Sequence, residues 1–409
     1  MTGADSGGVL ITTTPDGSWG WVGLRLAPAR ALAEHRGYLD LAEEERRRQA
    51  VAAELAWLQA QCRPAEPDGS GPGAPTRFDL RYTGGPGGLL RCVLLAQTVA
   101  GAPEAAERGA LALRQRLAAL PGHVAAAEIL EPSELLAELD PLDTVARGTG
   151  GCRLVEIRRR LTPLPLQRPD TNRESAVLVA DFEPSGVSWE PLWAELASSP
   201  VPVVLSVALE PIRLGPGEVD LLRRYAGEYH RLAAAGLTAP PWQRTLPGSP
   251  AAAAGAGHFD QALRRVAFPG YRLRITLAAA GALPARLAQL VAGTIGGPGA
   301  GAGAVVLDVA PPEQPAGWQN LTALDLVRLD RSYQQGLHDR DYGPGERLLD
   351  EFCTPTEAAA ALRLPYEVAA HRPLFDDRFR TRQAATASSS SSSSSSAPAV
   401  SPSAGRPPL

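Results

Sequence analysis

The stretch RFDLRYTGGPGGLLRCVLLAQTV, which spans residues 77–99, predicts a β-hairpin. Its two ends, Arg77–Tyr82 and Leu89–Val99, are rich in the branched, aromatic and other apolar residues of strands. The connection Thr83–Gly88 contains four glycines and a proline, so a helix is unfavourable there and a turn is favourable. This hairpin is therefore the first strand pair of the predicted fold.

A helix and a further strand follow the hairpin. Pro103 suits the first turn of a helix, and Glu104 is favourable beside the positive end of the helix dipole. The helix ends at Pro121-Gly122, and Val124–Leu130 again has the composition of a strand. The apolar stripe of the helix is formed by Ala106, Ala110, Leu113, Leu117 and Leu120.

The strand–helix–strand order recurs twice further along the chain. The three units start near Leu89, Ser175 and Tyr271. Strands that pair as hairpins and also flank a helix suit a split β-α-β, ferredoxin-like unit, here duplicated or triplicated. The sequence therefore predicts an α+β fold with mixed or antiparallel sheets, and a doubly wound parallel sheet is the alternative layout.

The N-terminal region predicts a second hairpin followed by a long helix. Val9–Thr14 and Trp19–Leu26 are extended runs on either side of a Pro-Asp-Gly-Ser turn. Asp40 and Glu43 have the spacing of a capping box, and the run Glu43–Arg48 places opposite charges three and four residues apart on a solvated face. The apolar positions of the helix are Val51, Leu55, Leu58 and Cys62.

Stretches rich in proline and glycine divide the chain into five predicted segments. They are an N-terminal hairpin and helix (1–63), three α/β units (64–150, 151–260 and 261–375, the last with a C-terminal helix) and a tail (376–409). Ala251–Gly257 and Gly296–Gly303 predict flexible loops, because small residues dominate both. The tail contains the serine run Ser388–Ser396 and cannot bury enough apolar area to offset its ordering entropy, so we expect it to be disordered.

The chain of 409 residues contains no lysine, and its 40 strongly basic residues are all arginine. A Walker A loop needs a lysine on the β- and γ-phosphates, and a Schiff base needs a lysine amine, so both kinds of site are excluded. The net charge of −4 argues against a broad nucleic-acid or membrane footprint. We therefore expect no cofactor and no catalytic residue of a recognised kind.

The cysteines and the chain's apolar patterning indicate a cytoplasmic protein. The N-terminus lacks the basic region of a signal peptide, and no uncharged apolar run reaches about 18 residues, so we expect no membrane insertion. The cysteines form no C-x-x-C pair, which favours thiols in a reducing compartment over a disulfide framework or a zinc site. They are Cys62, Cys92, Cys152 and Cys353.

Two polar clusters are candidate sites, each with a simpler alternative. Arg158-Arg159-Arg160 continues a predicted strand, and Arg158 and Arg160 on one face could hold a phosphate or a partner's carboxylate. Charge protection of an edge strand explains the same cluster. His338-Asp339-Arg340-Asp341 places a histidine near two carboxylates and is the candidate site of an enzyme of unrecognised type, with a solvated loop as the alternative.

Near the C-terminus, FCTPTEAAAALRLP (Phe352–Pro365) joins a threonine cap, an alanine-rich helix and an R-L-P triplet. Thr354 or Thr356 suits the cap, with Glu357 in the first turn. The stretch resembles the segment that closes the N-terminal region of HerA-type and conjugative-transfer (type IV secretion) ATPases, where it leads into the motor domain. Weaker similarity extends from about residue 77 to residue 366 and includes the FDLRY motif at Phe78–Tyr82.

The resemblance implies an accessory region of a hexameric translocating motor. The family's Walker A loop is expected after the R-L-P triplet, and residues 366–409 contain none. We therefore expect a non-catalytic adaptor or assembly subunit that partners a separately encoded P-loop ATPase in conjugation, secretion or defence, and an oligomer is compatible with that role. A scaffold regulated by phosphorylation of its Ser-rich tail is a further alternative. The expected partner contacts are Arg158, Arg160, Thr354, Glu357 and Arg363.

Overall fold

Strands and helices alternate along the chain in this computed structural model, which describes residues 7–15, 17–64, 75–144, 151–183, 188–237, 245–297, 303–330, 337, 341–368 and 373–379. The strands are β1 (Leu10–Thr14), β2 (Gly17–Pro28), β3 (Thr76–Gly84), β4 (Arg91–Ala100), β5 (Val124–Glu128), β6 (Arg153–Arg159), β7 (Leu161–Pro165), β8 (Ser175–Val179), β9 (Val203–Ile212), β10 (Gly236–Leu237), β11 (Thr245–Leu246), β12 (Gly270–Ala279), β13 (Ala304–Asp308) and β14 (Phe352–Cys353). The helices are α1 (Glu43–Gln61), α2 (Pro103–Leu117), α3 (Pro132–Leu139), α4 (Glu190–Ala197), α5 (Pro216–Ala233), α6 (Pro250–Arg265), α7 (Ala285–Gly296), α8 (Gln314–Thr322), α9 (Pro344–Glu351) and α10 (Pro355–Ala361).

The main sheet is built from two runs of strands and helices that share one element order. The first run is β2-α1-β3-β4-α2-β5, and its strands lie side by side as β5-β2-β4-β3. The second run, apart from the elements inserted into it, is β6-α4-β9-β12-α7-β13, with its strands placed as β13-β6-β12-β9. Neighbouring strands are antiparallel throughout both runs. Each run therefore has the element order of a split β-α-β unit.

The two runs join edge to edge through β3 and β9. These strands pair antiparallel from Phe78 opposite Leu209 to Gly84 opposite Val203, which makes one continuous ten-stranded sheet. The predicted α+β class with antiparallel pairing is confirmed, and the parallel alternative is wrong for these strands. The assignment of the two runs to the ferredoxin-like fold stays a prediction.

The chain is organised differently from the predicted segments. The unit expected to start at Ser175 is not a third copy, because β8 pairs with β7 in a separate two-stranded sheet. The segments 1–63, 64–150, 151–260 and 261–375 are not separate compact units, since the sheet runs through all of them and the chain up to Asp376 forms one unit. β3 and β9 belong to different predicted segments but pair with each other. Local composition does not predict pairing between strands that are distant in the sequence.

Alternation along the strands gives the sheet one apolar face and one charged face. On β3, Phe78, Leu80 and Tyr82 lie in the main hydrophobic core with residues of α1, α2, α4, α7 and α10. Asp79 and Arg81, one residue out of phase, are equally buried on the opposite face. That face contacts α3, α8 and residues 321–329, so both faces of the sheet are covered.

The second run carries an insertion that the first run lacks. We call β7, β8, α5 and α6 the insertion lobe, and α9 packs against it. The lobe has a hydrophobic core of its own, in which Leu222 and Tyr229 of α5 meet Phe259 of α6. β7 and β8 lie between β6 and α4, whereas α5 and α6 lie between β9 and β12. In the first run the connection that corresponds to α5 and α6, between β3 and β4, consists of residues 85–90.

Ala251–Gly257 is helical, contrary to the prediction of a flexible loop. It belongs to α6, whose N-cap Ser249 accepts a hydrogen bond at Oγ from the backbone N–H of Ala252. Alanine is the best helix former, and Gly255 allows the ring of Tyr229 to approach the helix, since a Cβ there would lie 2.9 Å from that ring. The small residues serve close packing of two helices.

Helix α1 begins without the predicted capping box. Its N-cap is Ala42, which makes no side-chain cap, so the interpretation of Asp40 and Glu43 as a box is wrong. The predicted charge pairs along the helix are present, with Arg48 Nη1 2.9 Å from a Glu45 oxygen. The solvated face is therefore confirmed.

Within the described ranges, no helix is both long and apolar enough to span a membrane. Residues 380–409 of the predicted disordered tail lie outside the described part of the chain. Residues 298–302 of the predicted loop Gly296–Gly303 lie outside it as well.

Candidate functional site

Main-chain carbonyl groups close the charged face of the sheet. Residues 323–329 cross this face without regular secondary structure after α8 ends at Thr322. Arginines of the sheet donate hydrogen bonds to main-chain oxygens of this segment and of Leu321 in the last turn of α8. A segment of this kind can be buried because the guanidinium groups satisfy its acceptors. The donor–acceptor pairs are Arg81 with Leu321, Arg77 with Leu324 at 3.3 Å, Arg274 with Leu326 at 3.4 Å and Arg158 with Leu329 at 2.9 Å.

Arg158, an expected partner contact, belongs to this internal network and is only 8% exposed. Its guanidinium forms ion pairs with Asp350 and, at 3.4 Å, with Glu156. Burial acts to raise the pKa of Asp350, but Arg158 and Arg328 hold that pKa below its ordinary value. β6 lies between β12 and β13, so the edge-strand alternative is wrong as well.

Arg160 does not form a clamp with Arg158. It follows the last residue of β6, Arg159, so the strand alternation that would align the two side chains does not reach it. Its N–H donates to the Gly303 carbonyl at 2.8 Å and its Nη2 to the Ala304 carbonyl at 3.3 Å. Arg160 therefore holds the start of β13 next to the end of β6.

The segment Phe352–Tyr366 is part of the main core. Thr354 caps α10, since its Oγ1 accepts from Glu357 N at 3.2 Å while Glu357 Oε2 accepts from Thr354 N at 2.8 Å. The predicted threonine cap is thus confirmed at Thr354, and Thr356 is exposed. The residues of this segment that lie in the core include Ala358, Ala359, Ala360, Ala361, Leu362 and Leu364.

Two groups of buried ion pairs hold this segment in place. Glu357 lies 2.9 Å from Arg159 and 3.2 Å from Arg265. Arg363 lies 3.3 Å from Glu54 of α1. Glu357 and Arg363 are 6% and 2% exposed, so these two expected partner contacts act inside the chain rather than at its surface.

A different polar cluster surrounds Arg173 on the insertion lobe. Arg173 Nη1 donates to Glu346 Oε1 at 2.6 Å, to the Tyr229 hydroxyl at 3.0 Å and to the Asp341 carbonyl at 3.2 Å. Its guanidinium also lies over the rings of Tyr225 and Tyr229, at 4.6 and 5.5 Å from their centroids. Sequence reasoning missed this cluster because its members come from three distant segments.

Buried groups support Arg173 from beneath. Glu346 is 0% exposed, and burial raises its pKa while Arg173 opposes the shift. Glu346 Oε2 also accepts from the backbone N–H of the N-cap residue Gly343 at 3.0 Å, at the start of α9. A Cβ at Gly345 would lie 2.8 Å from the ring of Tyr225, so the packing of that ring requires a glycine at this position. The G-P-G-E run at 343–346 is therefore a local sequence signal of this site.

The predicted His338–Asp341 cluster is described only at Asp341, and its other members lie outside the described residues. Asp341 is 2% exposed, and its Oδ1 accepts from the backbone N–H of Glu174 at 2.9 Å. This hydrogen bond holds Glu174, the residue that follows Arg173, next to the segment that precedes α9. Asp341 therefore acts as a positioning group for the Arg173 cluster.

A cavity of about 290 Å³, the Arg224 cavity, lies beside this cluster. Both carboxylate oxygens of Glu228 in its wall accept from Arg231, at 2.7 and 3.0 Å. Arg224 is exposed, and the part of the chain that the structure describes provides no hydrogen bond or ion pair to its guanidinium. The lining residues are Arg173, Leu221, Arg224, Tyr225, Glu228 and Tyr229.

Metal-ligand geometry and similarity to known proteins identify no further site. No group of three or more His, Cys, Asp or Glu side chains in the described residues is arranged to hold a metal ion. No protein-family model matches the chain, and no curated protein is significantly similar to it.

Proposed function

We propose that this chain is a non-catalytic adaptor or assembly subunit that binds a separately encoded ATPase of the HerA or conjugation and secretion type. It would act in the cytoplasm as part of a conjugation, secretion or defence machine. The observation that carries the proposal is the segment Phe352–Pro365, which resembles the approach to the motor domain of those ATPases. Here that segment is a fixed part of the body rather than a loose extension.

The support of this segment suits transmission of force between a body and a motor. Glu357 connects α10 to β6 and α6 through Arg159 and Arg265, and Arg363 connects the following residues to α1 through Glu54. Buried ion pairs of this kind are costly to break, because removal of one partner leaves an uncompensated charge. A partner that pulls on this region would therefore move the whole body.

Photo-crosslinking at Thr356 tests the proposal. Thr356 is the exposed residue beside the cap of α10, whereas Thr14 is an exposed threonine on the distant strand β1 and serves as the control. The full chain, with a photoreactive residue at one position or the other, is mixed with the purified HerA- or conjugation-type ATPase of the same genome. We expect co-elution and a crosslink from position 356 only.

Two results would overturn the proposal. One is the absence of stoichiometric co-elution with the ATPase. The other is crosslinking that is as efficient from position 14 as from position 356.

A further inference from the structure

The Arg224 cavity lies on an insertion that the sheet does not need. The first run completes the same strand order with residues 85–90 where the second run has α5 and α6. Five of the six lining residues lie on α5, within about two helical turns of each other: Leu221, Arg224, Tyr225, Glu228 and Tyr229. The cavity is therefore a property of the added elements.

The walls of the cavity are held in place before any ligand arrives. Arg173 is fixed by Glu346 and Tyr229, and Tyr225 packs against the backbone at Gly345. A site whose side chains are already ordered loses less conformational entropy when it binds a ligand. This arrangement requires a buried carboxylate at Glu346, which is unfavourable unless it is paired.

The charges around the cavity favour an anion. Arg173 is neutralised by Glu346, and Glu228 is neutralised by Arg231. Arg224 lines the cavity, is exposed to solvent and has no hydrogen-bond or ion-pair partner among the described residues. One uncompensated guanidinium therefore faces an incoming ligand, and guanidinium groups bind carboxylate and phosphate oxygens with two parallel hydrogen bonds.

The remaining wall residues favour a ligand in which the anionic group is attached to an apolar group. Leu221 and the rings of Tyr225 and Tyr229 supply apolar surface. A cavity of about 150 Å³ is enough to bind benzene in a protein interior. The volume of about 290 Å³ therefore admits one ring or a short aliphatic chain together with its charged group.

We propose that the Arg224 cavity binds a small organic anion, in which a carboxylate or phosphate group on an apolar body pairs with Arg224 while the body contacts Leu221 and Tyr225. This site is separate from the Phe352–Tyr366 segment. Its occupation does not depend on the proposed ATPase partner.

Calorimetric titration of the full chain with four probes tests the proposal. Phenylacetate and phenyl phosphate carry both features, benzyl alcohol carries the ring without the charge, and inorganic phosphate carries the charge without the ring. We expect at least one of the two organic anions to bind with a Kd on the order of 1 mM, and at least fivefold tighter than benzyl alcohol and inorganic phosphate. The tighter of the two identifies the anionic group.

The neighbouring arginines of α5 provide a matched pair of variants. Arg224→Gln removes the guanidinium that lacks a partner in the described part of the chain, and we expect it to raise the Kd of the bound anion about fivefold or more. Arg223→Gln is the control, since Arg223 is 65% exposed and already pairs with Asp220 at 2.6 Å. We expect that variant to bind like the unmodified chain. Leu221→Ser tests the apolar wall and should weaken phenylacetate or phenyl phosphate but leave inorganic phosphate unchanged.

Three results would overturn this inference. The organic anions bind no tighter than benzyl alcohol, or no tighter than inorganic phosphate. Alternatively, Arg223→Gln weakens binding as much as Arg224→Gln, which would make the effect one of general surface charge.

Discussion

The two runs of the main sheet share a strand order but differ in the connection between their second and third strands. In the first run that connection is residues 85–90, and in the second it contains α5 and α6. The shared elements place buried charges where the two runs meet, whereas the inserted elements form a second core and the Arg224 cavity. The comparison distinguishes residues that stabilise the sheet from residues that are available to bind a ligand.

The charges at the junction of the runs are satisfied within the sheet. Asp79 of β3 accepts from Arg81 Nε at 2.7 Å and from the Ser206 hydroxyl of β9 at 2.8 Å. Asp79 and Arg81 are 0% and 1% exposed. This group therefore belongs to both runs, and its loss should affect the entire unit.

The largest effect is expected from Asp79→Ala, which breaks the junction. It leaves the guanidinium of Arg81 buried without its carboxylate, so we expect the free energy of unfolding to fall by about 3–5 kcal/mol. Urea denaturation followed by circular dichroism measures the change. Ser206→Ala, which removes one hydrogen bond to the same carboxylate, should cost about 1 kcal/mol. Equal losses in the two variants would contradict the assigned role of Asp79.

Glu346→Ala should act on the insertion lobe alone. It removes the counter-ion of Arg173 and a cap of α9, and we expect a local loss of about 3 kcal/mol. Hydrogen exchange followed by mass spectrometry should show faster exchange in β8, α5 and α6, with β3 and β4 unchanged. Faster exchange throughout the sheet would show that the lobe and the sheet unfold together, which contradicts the separation of the two regions.

The insertion lobe should lose stability in acid through His258 of α6. Its Nε2 accepts from the backbone N–H of Val179 at 3.3 Å, and burial, assisted by Arg265, lowers its pKa from 6.5 to about 4. The unfolded chain therefore binds this proton more readily than the folded chain. The stabilisation is complete above pH 6.5 and is lost as the pH falls towards 4, by on the order of 2 kcal/mol.

Unfolding free energies at pH 7 and pH 4.5 measure this dependence. His258→Gln keeps an acceptor for Val179 N but cannot bind the proton, so its stability should change less between the two pH values. A pH dependence equal to that of the unmodified chain would exclude His258 as the cause.

Two glycines of α6 give the smallest and most specific test. Gly255→Ala places a Cβ 2.9 Å from the Tyr229 ring and should destabilise the lobe by about 1–3 kcal/mol. Gly257→Ala meets no atom within 4 Å and should stabilise the same helix by about 0.5–1 kcal/mol. Thermal unfolding of both variants measures the difference. Changes of the same sign would contradict the close packing of α5 on α6.

The short-range part of the fold was predictable from the sequence. The hairpin at residues 77–99 and the N-terminal hairpin were both found, because strand composition and turn residues are local signals. Ala251–Gly257 was not, since small residues are equally compatible with a loop and with a tightly packed helix until Tyr229 is placed beside them. The predicted unit that starts at Ser175 failed for a related reason, because the partner of β8 is β7 rather than the main sheet.

The candidate site was hardly predictable. Thr354 was found as a cap because capping depends on residues three positions apart. Arg158 is predicted as a contact for a partner's carboxylate, whereas in the structure it binds the Leu329 carbonyl and the carboxylate of Asp350 inside the chain. No local pattern predicts Arg173 as a site residue, because its partner Glu346 is far away in the sequence.

By itself, the sequence determined the alternation of Phe78, Leu80 and Tyr82 with Asp79 and Arg81, and hence a strand with one apolar and one charged face. It also excluded any site that requires a lysine. Only the tertiary structure decided that β3 pairs with β9 and that the two runs form one sheet. It also decided that an inserted helix places Arg224 beside a cavity, where its guanidinium has no partner among the described residues. Local patterns reflect contacts along one helix or strand, whereas strand pairing and cavities depend on groups that meet only when distant segments fold together.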